Sequence, residues 1–168
     1  AKNNGAELVF LPVYYQQACI ILKQASDMQY APTFFGCDGL DGILGVDGFD
    51  KSLAEGVMLL TPFAADEMAQ STQDFVAKYE KAYGSTPSQF AADAYDAVYA
   101  VKAAAEAAGI TGDMSASDIC DALVEQMKTI EVDAITSKEG VPMKWDENGM
   151  VDKAPKAVII TDGAYKAM

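Results

Sequence analysis

Arginine and histidine are both absent from this 168-residue chain, and its 12 basic residues, all lysines, face 25 acidic ones for a formal net charge of −13. Without arginine there is no bidentate fork for a phosphate or carboxylate. Without histidine there is no histidine-dependent triad and no histidine–metal site. So acidic a chain offers no basic patch to a nucleic acid, which excludes a polyanionic partner. Cysteine is scarce: Cys19, Cys37 and Cys120 are odd in number, widely spaced and form no CxxC pair. They read as free thiols behaving as small apolar residues, with a bridge between Cys19 and Cys37 left as the alternative. Long apolar runs are missing too. The longest, near 8–15 and 96–101, fall far short of the ~20 residues that span a bilayer. The chain begins at Ala1 rather than a methionine, read as a processed or engineered start.

What remains is globular in composition. Hydrophobic residues make up 51% of the chain, enough for one good core. The organising stretch is 7–39, ELVFLPVYYQQACIILKQASDMQYAPTFFGCDG. Leu8, Val9, Phe10 and Leu11 form a short apolar run closed by Pro12, the pattern of a strand covered on both faces of a parallel sheet. From Tyr15 the period changes, and Ala18, Ile21, Leu22, Ala25 and Met28 share one helical face. Pro32–Phe35 resumes an extended run and stops at the turn Gly36-Cys37-Asp38-Gly39. This is one βαβ unit, and ligands of such sheets sit beyond the carboxyl ends of the strands. Those ends carry Tyr14-Tyr15 and Asp38, so aromatic faces and one carboxylate are expected at a common edge.

Residues 1–6 read as a helix end stopped near Gly5. The segment 36–50 holds five glycines with Asp38, Asp41, Asp47 and Asp50. A calcium loop is the sharper reading, but the spacing misses the alternate-aspartate pattern of an EF-hand, and turn-forming and capping roles fit better. Neither a metal nor a cofactor is expected. Gly56–Thr61 is a further strand, ending at Pro62. Ser71 opens a helix with Asp74 as a weak capping box, and Phe75, Tyr79, Ala82 and Tyr83 share one face up to Gly84. The longest helix runs over about 88–108, with Phe90, Ala94, Ala97, Val98, Val101, Ala104, Ala105 and Ala108 as its apolar stripe and Asp93 and Asp96 as solvated charges. A third helix follows a serine cap near 115–117, with Ile119, Leu123, Met127 and Ile130 inward. Asn148-Gly149 and Asp162-Gly163 are turn signals, the second the clearer hairpin.

Several segments together resemble the second half of a type I periplasmic solute-binding protein, of the branched-chain amino-acid-binding family of ABC transporters. They are LPVYY, ILKQA, GCDG, EGVMLLTPF (55–63), FVAKYEKAYG (75–84), AYDAVYA (94–100) and WDENG (145–149), in the family's order and at similar spacing over nearly the whole chain. The segment AITSKEGVPM (134–143) departs from the family's short Thr-Gly step. The resemblance implies an α/β fold, a fragment of the type I architecture with a parallel sheet flanked by helices and a C-terminal hairpin. It implies that 1–61 and 146–168 belong to the carboxyl-terminal lobe and 62–145 to the amino-terminal lobe. It also implies an amino-acid ligand, a membrane permease as partner, and a periplasmic or extracellular location, lipid-anchored surface proteins included.

By the resemblance, Asp38 pairs with the ammonium of a bound amino acid, Tyr14 faces the cleft, and Tyr95 lines it from the other lobe. Tyr15 is a further aromatic candidate. Each has a plainer alternative: Asp38 as a turn residue, Tyr14 and Tyr15 as interfacial packing, Tyr95 as a partner of Tyr99. In the family the ligand carboxylate is held by the amino-terminal lobe's first segment, which has no counterpart here. Two rival functions stand beside solute binding. One is a receptor's sensory domain; the other is a hydrolase using Asp38 with a second carboxylate such as Asp41. The helices between 71 and 130 offer long apolar faces and few strands to cover them, so the chain by itself is expected to be homodimeric or to exchange elements.

Overall fold

The structure is a computed structural model describing residues 1–138 and 140–168; Glu139, within the departing segment 134–143, lies outside the described residues. It divides into two compact units, Ala1–Gln89 with Pro155–Met168, and Phe90–Ala154.

The first unit is built on a five-stranded sheet in the order β1 (Leu8–Leu11), β2 (Thr33–Gly36), β3 (Met58–Thr61), β4 (Lys156–Thr161), β5 (Ala164–Ala167). The first three strands are parallel, and β4 and β5 continue the sheet antiparallel as a hairpin. The mixed sheet matches the expected α/β class with its C-terminal hairpin. At the hairpin turn Asp162 and Gly163 both have positive φ, 54° and 69°, which is the type I′ geometry that Asp-Gly favours. Glu55 fixes the turn by accepting from the Asp162 N–H at 2.9 Å.

Helix α1 (Tyr15–Asp27) joins β1 to β2 and buries Ala18, Leu22 and Ala25. With the short 3₁₀ turns between β2 and β3 it covers one sheet face, where Leu11, Leu40, Ile43, Leu59, Val158 and Ile160 form the core. The expectation that β1 is covered on both faces is corrected here. Leu8 and Phe10 are half exposed, Phe10 lying against Phe35 with ring centroids 5.8 Å apart. One helix and the 3₁₀ turns cover only one face, so the strand alternates despite its unbroken apolar run.

Helix α2 (Gln70–Tyr83) buries Phe75, which meets Phe63 edge-on at 6.0 Å, and ends on Gly84 in the left-handed region. The predicted Ser71 cap is corrected. The N-cap position falls two residues earlier, at Ala69, with no side-chain cap, and Asp74 accepts from the Gln70 amide instead.

The second unit contains all but the first residue of α3 (Gln89–Ala107), and α4 (Ala116–Met127). Ser115 caps α4 as expected, accepting from the Asp118 N–H. The inward face of α3 differs from the expected stripe. Ala92, Asp96, Ala100 and Ala104 are buried at successive i,i+4 positions, while Val98 and Val101 are 68% and 52% exposed. Alanines all round this helix make several faces apolar, and burial followed the face that carries Asp96.

Asp96, expected as a solvated charge, is 2% exposed. Its carboxylate accepts from the Ile135 and Thr136 N–H groups, each at 2.8 Å, and from the Thr136 hydroxyl at 2.7 Å. Asp93 pairs with Lys153 at 2.6 Å. Asp96→Asn turns an amide N–H₂ toward donors, so the variant should lose about 1.5–3 kcal/mol of stability. Urea unfolding followed by fluorescence of Trp145, the one tryptophan and a residue of this unit, checks it; an unchanged midpoint would contradict it.

Candidate functional site

Parallel pairing brings the carboxyl ends of β1, β2 and β3 to one sheet edge. Beyond β1 the chain turns at Pro12–Tyr14, and Tyr14 becomes the N-cap residue of α1 with extended backbone, φ −82° and ψ 162°. Its side chain makes no capping bond and is 62% exposed. Beyond β2 the chain makes a tight 3₁₀ turn, Asp38–Leu40, closed by the Asp41 N–H on the Asp38 carbonyl at 2.9 Å.

The two turns are pressed together. A Cβ on Gly39 would lie 2.7 Å from the Val13 carbonyl oxygen, while one on Gly36, inside the second turn, would lie 2.2 Å from the Leu40 side chain. Only glycine permits that approach, and it sets Asp38 on the turn beside the one that carries Tyr14. The Asp38 side chain is exposed, and among the described residues its carboxylate has no hydrogen-bond or ion-pair partner. Tyr15 behaves differently. It is half-buried, packs on the core, and rests its ring on Gly42, whose φ of 98° lets the backbone pass beneath. Tyr95 belongs to the second unit, where its ring lies 4.8 Å from that of Tyr99. A hydrogen bond with Tyr99, burial, and the Tyr99 and Asp96 charges raise its hydroxyl pKa.

A buried polar junction lies beneath the Asp38 turn. Asp41 is 5% exposed and accepts from the backbone N–H of Gln89, the first residue of α3. Gln89 is wholly buried; its side-chain N–H₂ donates to the Asp38 carbonyl at 3.0 Å, and its oxygen lies 3.2 Å from the Thr61 hydroxyl at the end of β3. Tyr165, on β5, places its hydroxyl oxygen where the Gly42 N–H donates to it at 2.9 Å and the Leu44 N–H at 3.4 Å. Sequence reasoning missed Gln89, Thr61 and Tyr165. None carries a motif, because their partners lie 28 to 123 residues away.

A separate groove of about 650 Å³ runs between α1 and residues 46–53, lined by Ile20, Lys23, Phe49 and Leu53 among others. It includes neither Tyr14 nor Asp38, and its wall carries the exposed Lys23–Asp27 pair. Among the described residues no group of three or more carboxylates or cysteines is placed to hold a metal ion.

Residues 1–153 match the family described as periplasmic binding protein. No curated protein matches. Among solved structures, the branched-chain amino acid transporter substrate-binding protein LivJ from Streptococcus pneumoniae, in complex with isoleucine, is 25% identical with a TM-score of 0.77, over 99% of this chain and 46% of that one. The leucine-binding protein LivK from Thermotoga maritima is 24% identical with a TM-score of 0.73, over 96% of this chain and 43% of that one. A solute-binding protein of an ABC transporter from Rhodopseudomonas palustris, in complex with 3,4-dihydroxybenzoic acid, is 21% identical with a TM-score of 0.77, over 99% and 45%. The chain thus spans less than half the length of each solved relative.

Burial, and then the Asp41 charge, raise the Tyr165 hydroxyl well above the ordinary tyrosine range. The unfolded chain releases that proton near pH 10 and the folded chain does so only higher. Stability should therefore be full below about pH 10 and fall as pH rises beyond it, by up to about 1.4 kcal/mol per pH unit for this group. Alkaline denaturation of Tyr165→Phe should show a shallower fall, with the raised Tyr95 hydroxyl and Cys19 thiol still contributing; an unchanged slope would remove Tyr165 as a source.

Proposed function

We propose, from the premise that this chain belongs to the periplasmic binding protein family, that it forms the carboxyl-terminal half of an ABC-transporter solute-binding protein whose ligand is an amino acid with a branched-chain or other apolar side chain. One observation carries the ligand class. Asp38 is an exposed carboxylate at a strand end, without a protein partner among the described residues, on the turn next to Tyr14. An α-ammonium group supplies the donors that such a carboxylate lacks, and a charge-assisted bond of that kind contributes about 1.5–3 kcal/mol. Aromatic acids, the ligand class of the Rhodopseudomonas relative, carry no cation and would meet repulsion at Asp38. The Tyr14 ring supplies an apolar face for the side chain and a hydroxyl for a polar group.

The mechanism is closure of two lobes on the ligand by hinge motion, without covalent chemistry, followed by delivery to a membrane permease. We assign 1–61 and 146–168 to one lobe and 62–145 to the other, and keep Tyr95 as the candidate ligand residue of the second. The location is periplasmic or extracellular. The hydrolase reading is disfavoured on chemical grounds. Asp41, the second carboxylate of that reading, is buried and bonded to the Gln89 N–H, which does not suit it to share acid–base work with Asp38.

Thermal-shift screening of the full-length protein against isoleucine, leucine, phenylalanine and benzoate tests the reading, with calorimetry on whatever stabilises it. An amino acid should raise the melting temperature and benzoate should not. Asp38→Asn should weaken amino-acid affinity about tenfold or more, a loss of ~1.4 kcal/mol. Benzoate binding that is indifferent to Asp38→Asn would overturn the ligand class. Tyr14→Ala should weaken the same affinity while leaving the far-UV circular dichroism unchanged; a large drop in melting temperature with normal affinity would instead make Tyr14 a packing residue.

A further inference from the structure

We infer that Gln89 is a positioning residue for the ligand-binding carboxylate of Asp38, an assignment that rests on the amino-acid reading above. The Asp38 side chain touches no other described side chain by hydrogen bond or ion pair, so what the structure fixes at this position is the backbone. That backbone is held at its carbonyl, which accepts two donors: the Asp41 N–H at 2.9 Å and the Gln89 amide at 3.0 Å. The first bond is internal to the turn and would travel with it. The second comes from 51 residues away and ties the turn to something outside itself.

Gln89 suits this role because three of its groups are committed and none is exposed. Its backbone N–H, an orphan donor of the first helical turn, is taken by Asp41. Its side-chain oxygen faces the Thr61 hydroxyl, which also lies 3.2 Å from the Phe63 carbonyl. With the oxygen turned to Thr61, the N–H₂ end is directed at Asp38; the amide's orientation is thus fixed by its two neighbours rather than by its own rotamer. One residue therefore gathers the turn after β2, the end of β3 and the start of α3. Asparagine is one methylene too short to span the same partners, and glutamate would present a second carboxylate beside Asp41.

The test uses Gln89→Met, which keeps an unbranched side chain of similar volume and removes both side-chain bonds. Thr61→Val is the milder companion, removing only the group that orients the amide. Hydrogen exchange on the ligand-free full-length protein needs no knowledge of the ligand. The Leu40 and Asp41 amides, which close the turn, should exchange at least about tenfold faster in Gln89→Met, and by less in Thr61→Val, with the core strands unchanged. Isoleucine affinity should fall about tenfold in Gln89→Met, but by less than about threefold when Asp38 is already asparagine, because the residue acts through Asp38. Unchanged exchange at the turn, or an equal loss of affinity in both backgrounds, would overturn the assignment and leave Asp38 as the ligand group. Should Gln89→Met fail to fold, the same two readouts on Thr61→Val decide in the same way. Isoleucine binding that is absent, or indifferent to Asp38→Asn, would take down the amino-acid reading and this assignment with it.

Discussion

A carboxylate buried in a chain that has no arginine is the constraint on which both units depend. The chain has no arginine, so neither Asp41 nor Asp96 can be neutralised by a guanidinium fork, the usual partner of a buried acid. Each instead accepts backbone N–H groups. Asp41 takes the first N–H of α3, and Asp96 takes those of Ile135 and Thr136 together with a hydroxyl. Backbone donors suit this purpose because they are already rigid and a helix start or loop would otherwise leave them unpaired. The bonds run over 48 residues for Asp41 and 40 for Asp96. They therefore fix where distant segments meet, and non-directional apolar burial does that poorly.

This also explains where the sequence was legible. The strand–helix–strand unit, the third strand, the four helices and the Asp162-Gly163 hairpin were all expected, because each is set by local periodicity or turn chemistry. The inward face of α3 was not. Alanines at 91, 92, 94, 97, 100, 103, 104 and 105 leave its apolar arc too broad to select one side. The face was chosen by Asp96, which reads as a surface charge until the loop that donates to it is in place. Gln89 was illegible for a related reason. A glutamine in Pro-Ser-Gln-Phe looks like any polar residue near a helix start, and only its partners after β2 and at the end of β3 give it meaning. The predicted cap at Ser71 failed because Gln70–Asp74, one turn apart, supplied a competing side-chain bond.

Charge and exposure together single out Asp38 among the aspartates of the glycine-rich loop. Asp41 is buried and bonded to backbone, and Asp50 caps the 3₁₀ turn that follows it by accepting from the Ser52 N–H. Asp47 is exposed like Asp38, yet it lies on the wall of the groove beside α1 and away from the β2 turn. Asp38 combines exposure with a fixed backbone. Its neighbours Gly36 and Gly39 admit no side chain, its carbonyl holds two donors, and the turn beneath it is anchored by Gln89 and by Tyr165 from the opposite end of the chain.

An exposed carboxylate without a protein partner is hydrated and adds little to the stability of its turn. Turn residues of this type ordinarily turn the side chain back onto their own backbone, as Asp146 does with the Asn148 and Met150 N–H groups. Asp38 does not, although it has the same chemistry and opens the same kind of tight turn. The corresponding donors are spent elsewhere: the Leu40 N–H goes to the Cys37 carbonyl, and the Gly42 N–H goes to Tyr165. Rigidity without local satisfaction leaves the acceptor ready for a donor from outside the chain, with little ordering left to be done when that donor arrives. That arrangement supports the binding role proposed for Asp38 over that of an aspartate that merely closes a turn.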